Sequence, residues 1–478
     1  MSAEIFKYSL TLGYAALVYW LSFIGMRRTS DVQGFAIGNK DMSPYIVGIT
    51  LAASIASTAT FVINPGFVYQ HGLSAYLHFG VAGSLGILCA FLALTRGFLR
   101  LGEAGGALTI PQWIYNRYQD RRLSLFFAFI NLLSITFVVL ILVGCSLLVT
   151  GLFPVEQKTA LVLVLVFVFS YVLMGGTYAH AFTNTLQGLM MLVVTVLLFV
   201  QGFHYFEGNP LLALQAVSEQ YAAPFNLDSD LYFDFFSVFV SGFVVTFALM
   251  LQPHILTKVL YLCSEGDIAK FIGTTVVVGS LFTLMLMLGF YARLAGLEIE
   301  SQDTVVREYL LHEFSGSAWG EYALVFIFIT LLAAGMSTLD GILVALSAMV
   351  VNDIVQPLFG DRRDALSLSR WVLIGVGVVG VLLAWNPPPL IGLFAQKGVY
   401  GLAAASLVPV LFGVILQGPV KLWIVFGAAL IGLGTHLIFN LLMGVANPAI
   451  SASYGIFASL FFGVAGCLLS RRPLRDTA

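Results

Sequence analysis

Charged side chains are scarce in this sequence: Asp, Glu, Lys and Arg together make up 10% of its 478 residues. Soluble domains carry about 25% charged residues. With a mean hydropathy of +0.96, the chain has too little polar surface to cover a water-soluble globule. The composition therefore excludes a cytosolic enzyme, a nucleic-acid-binding protein and a disordered scaffold. A formal net charge of −2 also leaves no polybasic tail or acidic arm.

Cysteine is rare as well, and its spacing carries no metal or redox motif. Cys89, Cys145, Cys263 and Cys467 are scattered and include no CxxC pair. The seven histidines form no His-Glu-x-x-His pattern, and no phosphate-binding loop, Walker motif or nucleophile elbow occurs. We therefore expect neither an enzyme nor an ATP-driven pump.

Long apolar runs dominate the sequence instead. Each is about as long as a transmembrane helix, whereas an outer-membrane barrel would alternate apolar and polar residues. The runs predict an all-α integral membrane protein of about 13 transmembrane helices that forms a single domain over residues 1–478. We number them spans 1 to 13, and they cover residues 8–26, 43–70, 74–100, 122–152, 158–175, 180–204, 231–255, 269–295, 319–351, 367–385, 389–415, 421–443 and 450–470.

The basic residues predict how the chain crosses the membrane. With the N-terminus outside, 17 of the 22 Lys and Arg residues fall in inside loops or the C-terminal tail, as the positive-inside rule requires. The other five lie outside or in spans: Lys7, Lys158, Arg293, Arg307 and Lys397. An odd number of spans then leaves the C-terminus in the cytoplasm. Span 1 ends at Arg27 and Arg28 without an Ala-x-Ala cleavage site, so we expect a retained helix in a bacterial-type plasma (inner) membrane.

Spans 2 and 7 carry residues that interrupt helices. Span 2 is rich in Ser and Thr between residues 50 and 60 and continues into Asn64-Pro65-Gly66, and span 7 ends in Gln252-Pro253-His254. These spans open two consecutive sets of five helices, which must have opposite topology. Interrupted helices at matching positions of two inverted halves indicate the binding site of a secondary transporter. The alternative is that the small and proline residues only kink packed helices.

Span 9 adds an oxygen-rich face to this pattern. Ala334, Ser337 and Thr338 are three and four residues apart and share one side of the helix. Two hydroxyl groups and a carbonyl there, with carbonyl groups of span 2 near Ala52 and Ile55, suit a hard cation such as Na⁺. Asp340 lies deep in the same span, where a carboxylate is either functional or a structural hydrogen-bond acceptor.

Several motifs, taken in order, resemble the solute:sodium symporter family, most closely its pantothenate and proline branches. They are Gly38-Asn39-Lys40, Pro65-Gly66 with Tyr69 and Gly72, Thr109-Ile110-Pro111 before Arg117-Tyr118, Gly175-Gly176 before Thr183-Asn184-Thr185-Leu186-Gln187-Gly188, Gln252-Pro253-His254-Ile255-Leu256, and Ala334 to Thr338.

The resemblance implies the LeuT-type fold and Na⁺ as the coupling ion. The fold has two inverted five-helix repeats, here residues 43–204 and 231–415, with an extra helix at 8–26 and two more at 421–470. The resemblance also implies that the main sodium site falls on Ala52, Ile55, Ala334, Ser337 and Thr338.

One departure from the family concerns a second cation. Many members have an Asp where this chain has Asn184, and in some that Asp forms a second sodium site. Here Asp340 stands where a hydroxyl residue is common. The carboxylate thus appears on the facing helix, so Asp340 and Asn184 are candidates for binding a second Na⁺ or a proton. Desolvation favours the protonated form of an Asp unless a cation neutralises the carboxylate.

Candidate solute-binding residues come from spans 2, 7 and 11. They are Ser54, Ser57, Thr58, Asn64, Phe236, Ser241, Gln396 and Lys397. Gln396 resembles a position that contacts sugar in a family member. Lys397 is the one cation assigned to the interior of a span, where it pairs with a substrate carboxylate or with Asp340, or else extends to the outer surface. The site has few polar side chains for a sugar, so we expect a small organic acid or amino acid.

These features predict a sodium-coupled secondary active symporter that imports a small organic solute by alternating access. We expect a monomer whose partners are the solute and the lipid bilayer, with no nucleic acid. The alternatives are a proton-coupled symporter and a non-transporting sensor or channel with the same fold. The chain ends about eight residues after span 13, so we expect no attached signalling domain.

Overall fold

The computed structural model describes residues 3–28, 35–37, 42–360, 365–416 and 418–470, and all regular secondary structure in these ranges is helical. Eleven helices there are long and apolar enough to span a membrane. Two bent pairs, Pro44–Ile55 with Ala59–His71 and Phe236–Leu249 with Pro253–Tyr261, bring the number to 13 when each pair is one span. The predicted all-α architecture of about 13 spans is confirmed.

The helix bounds follow the predicted spans closely. Spans 1 to 4 are Ala3–Met26, Pro44–Ile55 with Ala59–Ile63 and Asn64–His71, Leu73–Tyr76 with Leu77–Ala82 and Gly83–Gly105, and Arg121–Asn131 with Leu132–Ser134 and Ile135–Leu152. Spans 5 and 6 share Gln157–Gly202, and span 7 is Phe236–Val240, Ser241–Leu249, Pro253–Leu256 and Thr257–Tyr261. Spans 8 to 13 are Ile268–Phe282 with Thr283–Leu286 and Met287–Leu294, Ala318–Met349 with Val350–Val355 and Gln356–Phe359, Ala365–Ala384, Ile391–Ile415, Leu422–Leu437 with Ile438–Leu442, and Pro448–Ser470.

Short helices connect the spans. They are Ile110–Tyr118 between spans 3 and 4, Phe203–Phe206 and Pro210–Val217 before span 7, Glu265–Asp267 before span 8, and Gln302–Thr304 with Val305–Phe314 before span 9.

A single glycine separates spans 5 and 6 within their shared helix. Gly176 has φ 52° and ψ −132°, a backbone conformation that side chains other than hydrogen disfavour. A Cβ atom at Gly176 would also lie 2.4 Å from the ring of Phe35. The chain therefore turns between the two spans at a position that requires glycine.

Spans 2 and 9 lie in the middle of the bundle. Span 9 packs against spans 4 and 10 and the shared helix of spans 5 and 6, and the first half of span 2 packs against that shared helix and spans 8 and 9. Span 7 packs against spans 3 and 11, and its second half also contacts spans 2 and 9. Spans 12 and 13 pack against span 11 at the periphery, and span 1 packs against the helix of spans 5 and 6. The two interrupted helices thus meet span 9 near the centre of the protein.

Candidate ion and solute site

The helix of span 2 stops between Ile55 and Ala59, and its two halves meet at 50°. Ala56 has φ −81° and ψ 66°, outside the helical region. The hydroxyl group of Ser57 accepts a hydrogen bond from the amide of Ala59 at 3.1 Å, which helps to start the second half. The break therefore frees backbone groups from the regular helical pattern in the middle of the bundle.

Span 7 breaks more sharply, at 66°, between Leu249 and Pro253. Pro253 has no backbone N–H to donate, and it favours an extended conformation for the residue before it. Gln252 adopts that conformation, with ψ 144°. The chain then continues as a helix to Tyr261, six residues beyond the predicted end of this span.

Hydroxyl groups of span 9 contact the backbone of span 2 beside the first break. The hydroxyl of Ser337 donates to the carbonyl oxygens of Ala53 at 3.0 Å and Ala334 at 2.7 Å. The hydroxyl of Thr338 donates to the carbonyl of Ser54 at 2.9 Å. Two hydroxyl oxygens and several carbonyl oxygens therefore gather within one buried region.

Of the five residues expected to bind sodium, Ala334, Ser337 and Thr338 meet in this region. The span 2 carbonyls that the hydroxyls contact are instead those of Ala53 and Ser54, and the carbonyl of Ala52 accepts from the amide of Ala56. Ala52, Ala334, Ser337 and Thr338 are buried, and Ile55 is partly buried. Ala52 and Ile55 also line the cavity described below. All five contribute oxygen atoms, and none carries a charge, so the donor set has the chemistry that Na⁺ requires.

Asn184 joins the same region from span 6. Its amide nitrogen donates to the hydroxyl of Ser54 at 3.1 Å and to the carbonyl of Ser337 at 2.8 Å. Because the carbonyl of Ser337 can only accept, these contacts fix which end of the amide faces it. The side-chain oxygen of Asn184 is buried and has no hydrogen-bond partner among the described residues.

Asp340 has partners other than Asn184. One carboxylate oxygen lies 2.7 Å from Nδ1 of His180, and the other accepts a hydrogen bond from the hydroxyl of Tyr171 at 3.1 Å. Within the described parts of the chain, no hydrogen bond joins Asp340 to Asn184 directly. Both residues flank Ser337 and Thr338 on the buried side of span 9.

Lys258 is a functional candidate that the sequence analysis missed. It was assigned to an inside loop, but the structure buries it in the second half of span 7 at 1% exposure. Its ammonium group contacts Nε2 of His180 and the hydroxyl of Ser54, each at 2.6 Å, and the carbonyl of Thr50 at 3.3 Å. The sequence signal that could have identified Lys258 is the apolar run after Pro253, since a lysine within such a run indicates a buried cation.

A cavity of about 170 Å³ lies between spans 2, 3, 7, 8 and 11, beside the break in span 2. This volume is below the ~300–1,000 Å³ of pockets for drug-sized ligands, so it fits a small solute. Its polar lining includes side chains of Ser54, Thr60, Asn64, Gln252 and Gln396. Among the described residues, none that line it is acidic or is a lysine or arginine.

The eight candidate solute-binding residues divide into two groups. Ser54, Asn64 and Gln396 line the cavity, whereas Ser57, Thr58, Phe236, Ser241 and Lys397 do not. The hydroxyl of Ser241 donates to the carbonyl of Ser237 at 2.6 Å, and the ring of Phe236 stacks on Tyr454.

For Lys397, the structure favours the alternative in which its side chain extends out of the bundle. Its side chain is exposed rather than within the bundle. Lys397 therefore does not pair with Asp340. The cation nearest to Asp340 in the hydrogen-bond network is Lys258, which is connected to it through His180.

Comparison with known proteins identifies relatives of this chain. The model of the sodium:solute symporter family matches residues 35–418. The chain is 25% identical to the sodium/pantothenate symporter of Escherichia coli K12 over 427 residues, 84% of each chain. It is also 25% identical to the high-affinity proline transporter PutP of Bacillus subtilis over 384 residues, 77% of this chain and 78% of that one.

Two solved structures share the fold. A Na⁺-coupled sialic acid symporter in a substrate-bound outward-open state matches with a TM-score of 0.76 and 16% identity, covering 97% of this chain and 98% of that one. The nucleobase-cation-symport-1 transporter Mhp1 matches with a TM-score of 0.56 and 13% identity, covering 93% and 96%. The predicted LeuT-type fold is confirmed.

Proposed function

The chain belongs to the sodium:solute symporter family, and we propose that it uses a sodium gradient to import a small solute that bears a carboxylate group. Sodium is the coupling ion of the family, and the protein is a multi-pass membrane transporter rather than an enzyme. The finer proposal concerns the class of solute, an organic acid or an amino acid, and the residues that bind the ion and the solute.

The observation that carries the sodium site is the contact between span 9 and the break in span 2. The hydroxyl groups of Ser337 and Thr338 already lie 2.9–3.0 Å from carbonyl oxygens of span 2. A Na⁺ ion replaces such hydrogen bonds with direct contacts to the same kind of oxygen, because hydroxyl oxygens accept as well as donate. We therefore propose that Ala52, Ile55, Ala334, Ser337 and Thr338 bind Na⁺.

The solute class follows from the cavity and the relatives. Pantothenate, proline and sialic acid, for which the relatives and the structural neighbour are named, all carry a carboxylate. The cavity has no lysine or arginine among its described lining residues. The side chains of Ser54, Asn64 and Gln396 are therefore proposed to bind the solute, with the carboxylate directed toward the Na⁺ near Ala52 and Ile55. This arrangement makes solute binding depend on the ion.

The membrane arrangement is part of the same proposal. The N-terminus lies outside and the C-terminus in the cytoplasm, residues 43–204 and 231–415 form the two inverted repeats, and the transporter works as a monomer. Alternating access then requires spans 2 and 7 to move relative to span 9, with the breaks in both spans as hinges.

The test is uptake into proteoliposomes that contain the purified full-length protein. Labelled proline, pantothenate and a panel of small carboxylates are supplied with an inward Na⁺ gradient, or with an inward K⁺ gradient as control. Accumulation of one carboxylate under the Na⁺ gradient alone supports the proposal. Uptake that requires a proton gradient and not Na⁺ would establish a proton-coupled symporter, and downhill flux without accumulation would establish a channel.

A further inference from the structure

The ammonium group of Lys258 has a complete set of hydrogen-bond acceptors. It carries three N–H donors, and it meets three acceptors: Nε2 of His180, the hydroxyl oxygen of Ser54 and the carbonyl of Thr50. A charged lysine therefore fits this buried position without an unsatisfied donor. A buried charge is stable when it is paired and fully hydrogen-bonded.

The contacts of His180 assign the protons of the whole network. Nε2 of His180 accepts from Lys258, so Nδ1 carries the ring proton and donates to Asp340 at 2.7 Å. Asp340 also accepts from Tyr171 and is therefore a carboxylate. One positive and one negative charge are joined through a neutral imidazole ring, and the net charge of the network is zero.

No other anion is available to this network among the described residues. Its remaining titratable neighbours are Tyr14, Tyr261 and His254, none of which supplies a negative charge at neutral pH. The negative charge of Asp340 is thus already matched by Lys258. A further cation in this part of the protein would face an uncompensated positive charge.

Lys258 also uses oxygen atoms that such a cation would need. Ser54 accepts from Lys258 and from Asn184, and its own hydroxyl donates to the carbonyl of Ser337 at 3.2 Å. Lys258 is therefore one residue away from the proposed sodium ligands on span 9.

We infer that the ammonium group of Lys258 is a built-in cation that takes the place of a second coupling ion, so that the protein binds one Na⁺. The inference rests on the proposed sodium site and deepens it by fixing how many ions the site region accepts. It also assigns Asp340 to the neutralisation of Lys258 rather than to a second Na⁺. Removal of the lysine leaves the carboxylate of Asp340, the hydroxyl of Ser54 and the free oxygen of Asn184 to bind an added cation.

Binding of ²²Na⁺ to the purified full-length protein in detergent, without any solute, tests this inference. The wild-type protein should saturate at one Na⁺ per chain with a Hill coefficient of one. Lys258→Met should bind two Na⁺ per chain with a Hill coefficient above one, because it exposes the charge of Asp340. Lys258→Arg keeps the positive charge and should bind one. Lys258→Met combined with Asp340→Asn should return to one.

The outcomes separate this inference from the proposed function. Two Na⁺ bound per wild-type chain would overturn the built-in cation while leaving sodium coupling intact. An unchanged single Na⁺ in folded Lys258→Met would overturn it as well. If Lys258→Met does not fold, Lys258→Gln removes the same charge while keeping a hydrogen-bond donor, and it should also bind two Na⁺. A wild-type protein that binds no Na⁺ would instead contradict the proposed sodium site itself.

Discussion

Lys258 and Asp340 bind the two nitrogen atoms of one imidazole ring, that of His180. The ammonium group lies 2.6 Å from Nε2 and the carboxylate 2.7 Å from Nδ1. Lys258 is on span 7, His180 on span 6 and Asp340 on span 9, and all three side chains are at most 1% exposed. The network therefore ties together three spans that surround the break in span 2, and we expect it to affect stability as well as ion binding.

Asp340→Asn should destabilise the protein because it leaves the charge of Lys258 without a partner. Removing one member of a buried ion pair costs about 3–5 kcal/mol. Tyr171→Phe removes one hydrogen bond to the same carboxylate and should cost less, about 1.5–3 kcal/mol. Melting curves of the detergent-solubilised variants, followed by size-exclusion chromatography, show which of the two variants is less stable.

A double variant provides the control for charge. Asp340→Asn combined with Lys258→Met removes both charges and should recover part of the stability lost by Asp340→Asn alone. If Asp340→Asn melts no lower than Tyr171→Phe, or the double variant melts lower than both single variants, the two charges do not stabilise one another.

Thr338→Ala should raise the Na⁺ concentration for half-maximal uptake at least tenfold, because the ion loses one of its proposed ligands. A tenfold change corresponds to about 1.4 kcal/mol. Thr330→Ala is a matched control on the same span, since the hydroxyl of Thr330 bonds to the carbonyl of Phe326 in its own helix. Uptake by each variant is measured against Na⁺ concentration at a fixed solute concentration. Equal Na⁺ dependence in the two variants, and in Ser337→Ala, would show that the ion binds elsewhere.

Neighbouring residues of span 11 test the solute site. Gln396 lines the cavity, whereas the side chain of Lys397 is exposed. Gln396→Ala should raise the KM for the solute by up to about tenfold, since a lost neutral hydrogen bond costs about 0.5–1.5 kcal/mol. Lys397→Ala should leave the KM unchanged. Uptake kinetics at saturating Na⁺ measure both, and the reverse pattern would assign the solute to the other side of the helix.

The sequence predicted the elements that depend on local patterns. Apolar runs of membrane length predicted the 13 spans. A transmembrane helix needs about 20 mainly apolar residues to cross the hydrocarbon core, and it must satisfy its backbone hydrogen bonds within the helix. The breaks were predictable from Ser57 and Thr58 in span 2 and from Pro253 in span 7. The hydroxyl face of Ser337 and Thr338 followed from helical spacing alone.

Such local patterns do not predict which residues of different spans contact one another. His180, Lys258 and Asp340 are far apart in the sequence, so their spacing follows no metal or catalytic motif. Lys258 was assigned to a loop because a proline and a positive charge both suggest the end of a span, yet the chain resumes a helix after Pro253. Lys397 was placed inside span 11 with two directions left open for its side chain, because that direction depends on how the helix is rotated.

The exposed thiol of Cys263 allows the proposed orientation to be tested without new cysteines. Cys263 follows span 7 and is exposed, whereas Cys89, Cys145 and Cys467 are buried or partly buried. The same loop carries Glu265, which pairs with Arg96 and Arg100 at the end of span 3 at 2.7 and 3.0 Å. The loop after span 7 thus lies beside basic residues that the positive-inside rule assigns to the cytoplasm.

A membrane-impermeant maleimide should therefore label the protein in inside-out vesicles and not in intact cells. Cys263→Ser should remove most of the labelling in the vesicles, which identifies the thiol that reacts. A permeant maleimide applied to intact cells serves as the control for reactivity, because it reaches Cys263 from either side. Labelling of the wild-type protein by the impermeant reagent in intact cells, lost in Cys263→Ser, would place this loop outside. Because the loop lies after seven spans, that result would also move the N-terminus to the cytoplasm and reverse the whole topology.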